Sequence, residues 1–181
     1  ALEEDSHADL RQAYLAGDVA LTPHPRAHAL FADKRNLAVL GDAALLGGFG
    51  VDAGLTALLA EVIPTTVEVV PGNRDALWAA RNGYFFKPAA GFGSRGSYRG
   101  DKLTRRTWES MASATYIAQA FAPPSMRIVH GGQSLKADVR CFASEAGVLL
   151  FAARLYQGQI TNMRTPGGGF SAVLTTPLIG E

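Results

Sequence analysis

The chain has 181 residues, 48% hydrophobic and 18% charged, a composition that builds a packed core and excludes a disordered chain. A formal net charge of +1 gives no overall attraction to nucleic acid or to an anionic membrane surface, so any basic patch must be local. Its single cysteine, Cys141, excludes an internal disulfide and fits a cytoplasmic setting, and no apolar run reaches the roughly 20 residues of a membrane span.

Residues 5–16 carry Leu10, Ala13 and Tyr14 at helical spacing, with Asp5 or Ser6 to begin the helix and Gly17 to end it. Residues 19–21 read as a brief strand, and Thr22-Pro23-His24-Pro25 forces extended backbone before the next helix. His24 and His28 have the i, i+4 spacing of helical metal ligands. Pro25 places His24 at or before the helix start and no third ligand is evident, so capping or surface roles are preferred.

Residues 31–46 read as one helix with Phe31, Leu37, Val39, Leu40, Ala44 and Leu45 as its apolar surface and Asp33-Lys34-Arg35 near its start. Asp52 caps another helix that runs to Pro64, residues 66–70 alternate like a strand, and residues 73–81 form a short helix.

The stretch 84–102 organises the rest. Tyr84-Phe85-Phe86 is an aromatic run with high strand propensity, yet Lys87 follows within it and Pro88 comes next. An unpaired ammonium costs several kcal/mol to desolvate, so Lys87 in a strand is expected to meet an anion. Beyond it stand Gly91, Gly93, Gly96 and Gly100, interleaved with Ser94, Arg95, Ser97, Arg99 and Lys102. A loop of this kind turns backbone N–H groups and cations toward one phosphate. Gly91-Phe92-Gly93-Ser94-Arg95-Gly96 satisfies G-x-G-x-x-G, but no helix opens after it, which excludes a dinucleotide fold, and no Walker-type lysine follows the glycines.

Thr104 caps a helix through Trp108 and Met111, and residues 116–121 form a strand ended by Ala122-Pro123-Pro124. Residues 127–130 and 135–143 flank Gly131-Gly132 as a hairpin, and residues 148–156 add a third strand. In the middle strand, period-two alternation sets Leu135, Ala137, Val139 and Cys141 on one face and Lys136, Asp138 and Arg140 on the other. Covered by a second lobe, those charges become a polar floor, which Arg154 and the flexible loop 161–169 can also reach.

Taken in order, Asp33-Lys34, Phe86-Lys87-Pro88 with its glycine loop, Tyr116 through Phe121, Lys136 through Arg140, and Arg154 with Thr161-Asn162 and the glycines 167–169 resemble the ATP-grasp superfamily, on its glutathione synthetase and ribosomal-protein glutamate ligase side. The resemblance spans about residues 25–170. It implies an α+β fold with a mostly helical lobe at 1–70, a glycine-loop nucleotide lobe at 71–122 and an antiparallel sheet at 123–181. It further implies an ATP-dependent carboxylate–amine or carboxylate–thiol ligase, with ATP and magnesium, small-molecule or peptide substrates, and a homo-oligomer as one possible state.

Carried over by residue, Lys34 and Lys87 would contact the phosphates, Gly91, Gly93, Ser94 and Gly96 would close over them, and Gln119, Ala120 and Phe121 would line the adenine. Arg140, Arg154 and Asn162 would face the γ-phosphate and the acid, with Asp138 as a magnesium ligand. The acidic strand that holds magnesium in the family has no counterpart in the twelve residues after Gly169, so the chain is expected to be a fragment, to hold the metal differently, or to be a catalytically incomplete nucleotide- or partner-binding module. A reading from another class is nucleic-acid binding through Arg95, Arg99, Lys102, Arg105 and Arg106 with Tyr98 and Trp108; the net charge disfavours it.

Overall fold

The computed structural model describes residues 2–91, 95–158, 161 and 164–174. Five helices come first: α1 (Ala8–Ala16), α2 (Pro25–Phe31), α3 (Asn36–Leu40), α4 (Ala43–Gly48) and α5 (Ala53–Val62). They begin and end where the local chemistry dictates. Gly17 closes α1 with φ +82°, α2 has a proline in its first turn, and the carboxylates of Asp42 and Asp52 accept from the backbone N–H of Leu45 (3.0 Å) and Leu55 (2.9 Å).

The single helix read over residues 31–46 is in fact broken. The Asp33 carboxylate accepts from the backbone N–H of Arg35 at 2.9 Å and pairs with its guanidinium at 2.7 Å, which fixes a turn between α2 and α3. Asp42 then starts a new helix instead of continuing the old one. Residues 19–21, read as a strand, adopt no regular structure.

The remaining chain folds as two antiparallel sheets, giving an α+β fold. The first has the order β1, β4, β2, β3, from β1 (Thr66–Glu68), β2 (Tyr84–Pro88), β3 (Tyr98–Arg99) and β4 (Tyr116–Ala120). The second runs in sequence order, β5 (Ser125–Ile128), β6 (Ser134–Ser144), β7 (Gly147–Tyr156) and β8 (Gly169–Ala172). β1 comes from the helical N-terminal segment yet pairs with β4, and Ala122-Pro123-Pro124 carries the chain from one sheet to the other.

The core lies on one face of the first sheet. Phe86 pairs with Ala118 and Tyr98, so these residues share a face, and Leu77 of α6 (Arg74–Ala79), Trp108 of α7 (Arg105–Ser110), Leu103 and Met111 pack against it. The Phe86 and Trp108 rings meet edge to face with centroids 5.2 Å apart. Trp108 is 2% exposed and is covered by the Arg74 guanidinium, 4.4 Å from its ring centroid, and Tyr98 stacks on Tyr116. Trp108 offers no free face for base stacking, which removes one of the two aromatic residues of the nucleic-acid reading.

Period two then fixes everything else in this sheet. With Phe86 facing the core, Phe85 and Lys87 must face the other way, and so must their partners Gln119 and Ile117 on β4, Arg99 on β3 and Thr66 on β1.

The alternation read in β6 is present, but its apolar face is not wholly a core face. Leu135 is buried, whereas Val139 is 62% exposed and Cys141 is exposed. β8 begins at Gly169, where the loop read over 161–169 ends; its four residues show no alternation to betray it.

Candidate functional site

The inward faces of the two sheets enclose a cleft of about 880 Å³. Its walls bring together Lys34, Lys87, Gly91, Gln119, Ala120, Phe121, Asp138, Arg140 and Arg154, all singled out from the sequence. Gly93, Ser94 and Asn162 lie outside the described residues. Gly96 sits with φ +68° beside the Tyr116 hydroxyl, from which an added Cβ would lie 3.1 Å, so its place is in the stem of the loop.

Lys87 is half-buried on the second strand from the sheet edge, and its ammonium donates to Gln119 Oε1 at 2.6 Å. The Gln119 amide nitrogen donates to Thr66 Oγ1 at 3.0 Å, and the Thr66 hydroxyl donates onward to the Pro64 carbonyl at 2.8 Å. Because the Thr66 proton is committed to Pro64, its oxygen must accept from Gln119. The amide oxygen is thereby turned toward Lys87.

No carboxylate pairs with Lys87 among the described residues, and a neutral amide does not offset a charge. Burial holds its pKa below the ordinary lysine value of 10.5, with the neighbouring charge of Lys34 adding to the shift. Lys34 reaches the same cleft from the turn after α2. Its backbone N–H donates to Ala89 O at 2.9 Å and its ammonium to Gly91 O at 3.0 Å, which ties the helical segment to the start of the glycine loop.

The sign of a pH effect follows. The folded chain releases the Lys87 proton at a lower pH than the unfolded chain does, so charged Lys87 burdens the fold below its folded pKa, and this burden lifts as pH rises toward 10.5. A bound polyanion reverses the preference by holding the proton on. Mg-ATP affinity is therefore expected to fall as pH rises from 7 through the lowered pKa, and Lys87→Met is expected to flatten that profile in calorimetry.

The second sheet supplies the opposite wall. Register sets Lys136 beside Tyr156, Asp138 beside Arg154 and Arg140 beside Ala152, with Phe170 and Ala172 of β8 beside Arg154 and Ala152 in turn. The Arg154 guanidinium donates to both Asp138 oxygens, Nε at 2.6 Å and Nη2 at 2.9 Å, a bidentate pair that holds both side chains upright on the sheet. Arg99 makes the same kind of pair with Asp101, both contacts at 2.6 Å, which keeps the Asp101 carboxyl below its usual range.

These pairs bear on magnesium. Asp138 is the carboxylate lining the cleft, and both its oxygens are taken by Arg154; no group of three His, Cys, Asp or Glu that could hold a metal occurs among the described residues. A magnesium ion held by Asp138 would share that carboxylate with Arg154, with phosphate oxygens and water completing its octahedron.

Some site residues escaped the sequence reading. Phe85 follows from the alternation that exposes Lys87 and was legible in principle. Thr66 carried no signal, because its part in the hydrogen-bond chain depends on how a three-residue strand pairs with β4. Tyr156 and Phe170 lie beside charged residues only through register.

Comparison with protein-family models, with curated proteins and with solved structures returns no match. No helix among the described residues is long and apolar enough to cross a membrane.

Proposed function

We propose that the cleft holds the triphosphate of ATP and that the protein is an ATP-dependent carboxylate–amine or carboxylate–thiol ligase of ATP-grasp type. The observation that carries this reading is Lys87. A half-buried ammonium on an inner strand, beside a second lysine and with a neutral amide and the Phe85 ring 5.6 Å away as its partners among the described residues, is costly unless an anion completes it. Lys34 and Arg95 on the same side of the cleft add charge in the arrangement that binds phosphates.

In the chemistry proposed, a carboxylate oxygen of the acid attacks the γ-phosphorus and ADP leaves. The amine or thiol then attacks the acyl-phosphate carbon, phosphate departs, and the nucleophile's proton is released. Lys34, Lys87 and Arg95 offset charge on the phosphates, while Arg140 and Arg154 orient the acid on the facing sheet; positioning and electrostatics do most of the work in phosphoryl transfer.

A second reading is favoured by one observation, the engagement of both Asp138 oxygens by Arg154: a module that binds nucleotide without turning it over. One assay separates the two. Incubation with Mg-ATP, a panel of carboxylic acids and hydroxylamine should release ADP and phosphate and form hydroxamate, the trapped acyl-phosphate. AMP and pyrophosphate would mean adenylation and contradict the acyl-phosphate route, and binding without nucleotide cleavage would establish the module.

A further inference from the structure

We propose that the second ligand of this cleft is a small acid carrying two or more carboxylates, seated on Lys136 and Arg140. This rests on the ATP reading for the role of the bound acid and for part of the charge balance, while the position of the subsite is argued from the facing sheet.

Seven cations line the cleft: Lys34, Lys87, Arg95, Arg99, Lys136, Arg140 and Arg154. Asp101 neutralises Arg99 and Asp138 neutralises Arg154, while the other five form no ion pair among the described residues. Mg-ATP brings about two net negative charges, since the ion offsets roughly half of the nucleotide's four. About three cationic charges then remain, and a monocarboxylate leaves about two of them unmatched in a partly enclosed space, where unmatched charge is expensive.

Geometry says where the surplus sits. Lys136 and Arg140 share the inward face of β6, four residues apart, hence about 13 Å between Cα atoms at the usual rise. Between them stands the Asp138–Arg154 pair, which is neutral overall and leaves Arg154 Nη1 without a hydrogen bond among the described residues. The Lys136 ammonium donates to a neutral backbone carbonyl, that of Gly158. Arg140 has no hydrogen bond among the described residues and lies 5.8 Å from the Phe142 ring centroid.

Its partner in register, Ala152, and Ala172 one strand beyond carry single methyl groups and leave the surface beside the guanidinium open. Two long cationic side chains rooted about 13 Å apart, with a neutral pair between them, match carboxylates separated by a few carbons.

The test is calorimetry of the whole chain in low-salt buffer, with tricarballylate, glutarate and butyrate as separate probes and Mg-ATP as a parallel titration. Tricarballylate is expected to bind at least tenfold more tightly than butyrate, with glutarate between them. The double variant Lys136→Ala/Arg140→Ala, checked for an unchanged thermal midpoint, is expected to lose that preference. Equal binding of tricarballylate and butyrate, or an unchanged preference in the double variant, would overturn the inference while Mg-ATP binding stood. Selective tricarballylate binding with no Mg-ATP binding would support the subsite and overturn the proposed nucleotide activity, so the two failures are distinct.

Discussion

Replacing Lys87 by methionine is expected to weaken Mg-ATP binding at least tenfold, about 1.4 kcal/mol, without loss of the fold. Methionine preserves the length and much of the apolar stem but removes the charge and the bond to Gln119. Two opposing effects decide the outcome. For the free protein, the substitution relieves the desolvation of a half-buried ammonium, so stability is expected to hold or rise. In the complex it removes a charge-assisted contact to phosphate, which no neighbouring group replaces, because Lys34 already reaches Gly91 and Arg95 stands on the loop. A variant that melts normally and binds Mg-ATP as tightly as the parent would remove Lys87 from the site.

Gly100→Ala is expected to destabilise the chain by about 3 kcal/mol or more, lowering the thermal midpoint by roughly 6 to 12 °C for a chain of this size. A Cβ there would lie 1.8 Å from the Arg81 carbonyl oxygen, 2.6 Å from its carbon and 2.9 Å from the Tyr84 oxygen. All three are backbone atoms, so relief requires the turn before β2 to move, and β2 carries Lys87. The sequence presents Gly100 as the last glycine of a phosphate loop. Its place in the structure is a packing contact, buried against the turn that launches the central strand. Gly83→Ala offers the contrast, because a Cβ there meets nothing within 4 Å and no positive φ is involved; its midpoint is expected to stay within about 2 °C. Equal, small shifts for both variants would show that the Gly100 contact is not needed.

The two faces of β2 were legible because strands impose period two and Lys87 interrupts an aromatic run. The same logic exposed Lys136, Asp138 and Arg140 as one polar face, and the structure sets that face against the cleft. Alternation defines two faces without saying what covers each, which is why Val139 emerges largely exposed although it sits on the apolar side. The broken helix after Phe31 failed for a different reason. Its apolar spacing is helical throughout, but the short-range bonds of Asp33 and Asp42 to backbone N–H groups win over propensity. The pairing of Asp138 with Arg154 lay beyond the sequence altogether, because sixteen residues separate them and only the β6–β7 register brings them together. That pairing gives Asp138 a partner on the neighbouring strand.

The most direct test of the nucleotide cleft is hydrogen exchange of the unmodified chain with and without saturating Mg-ATP. Slowed exchange is expected in peptides covering residues 84–91, 95–103 and 117–124, which carry Lys87, Arg95 and the segment joining the two sheets, with peptides from α1 unchanged. Uniform exchange in both conditions, or protection confined to residues 8–31, would contradict a nucleotide site between the sheets.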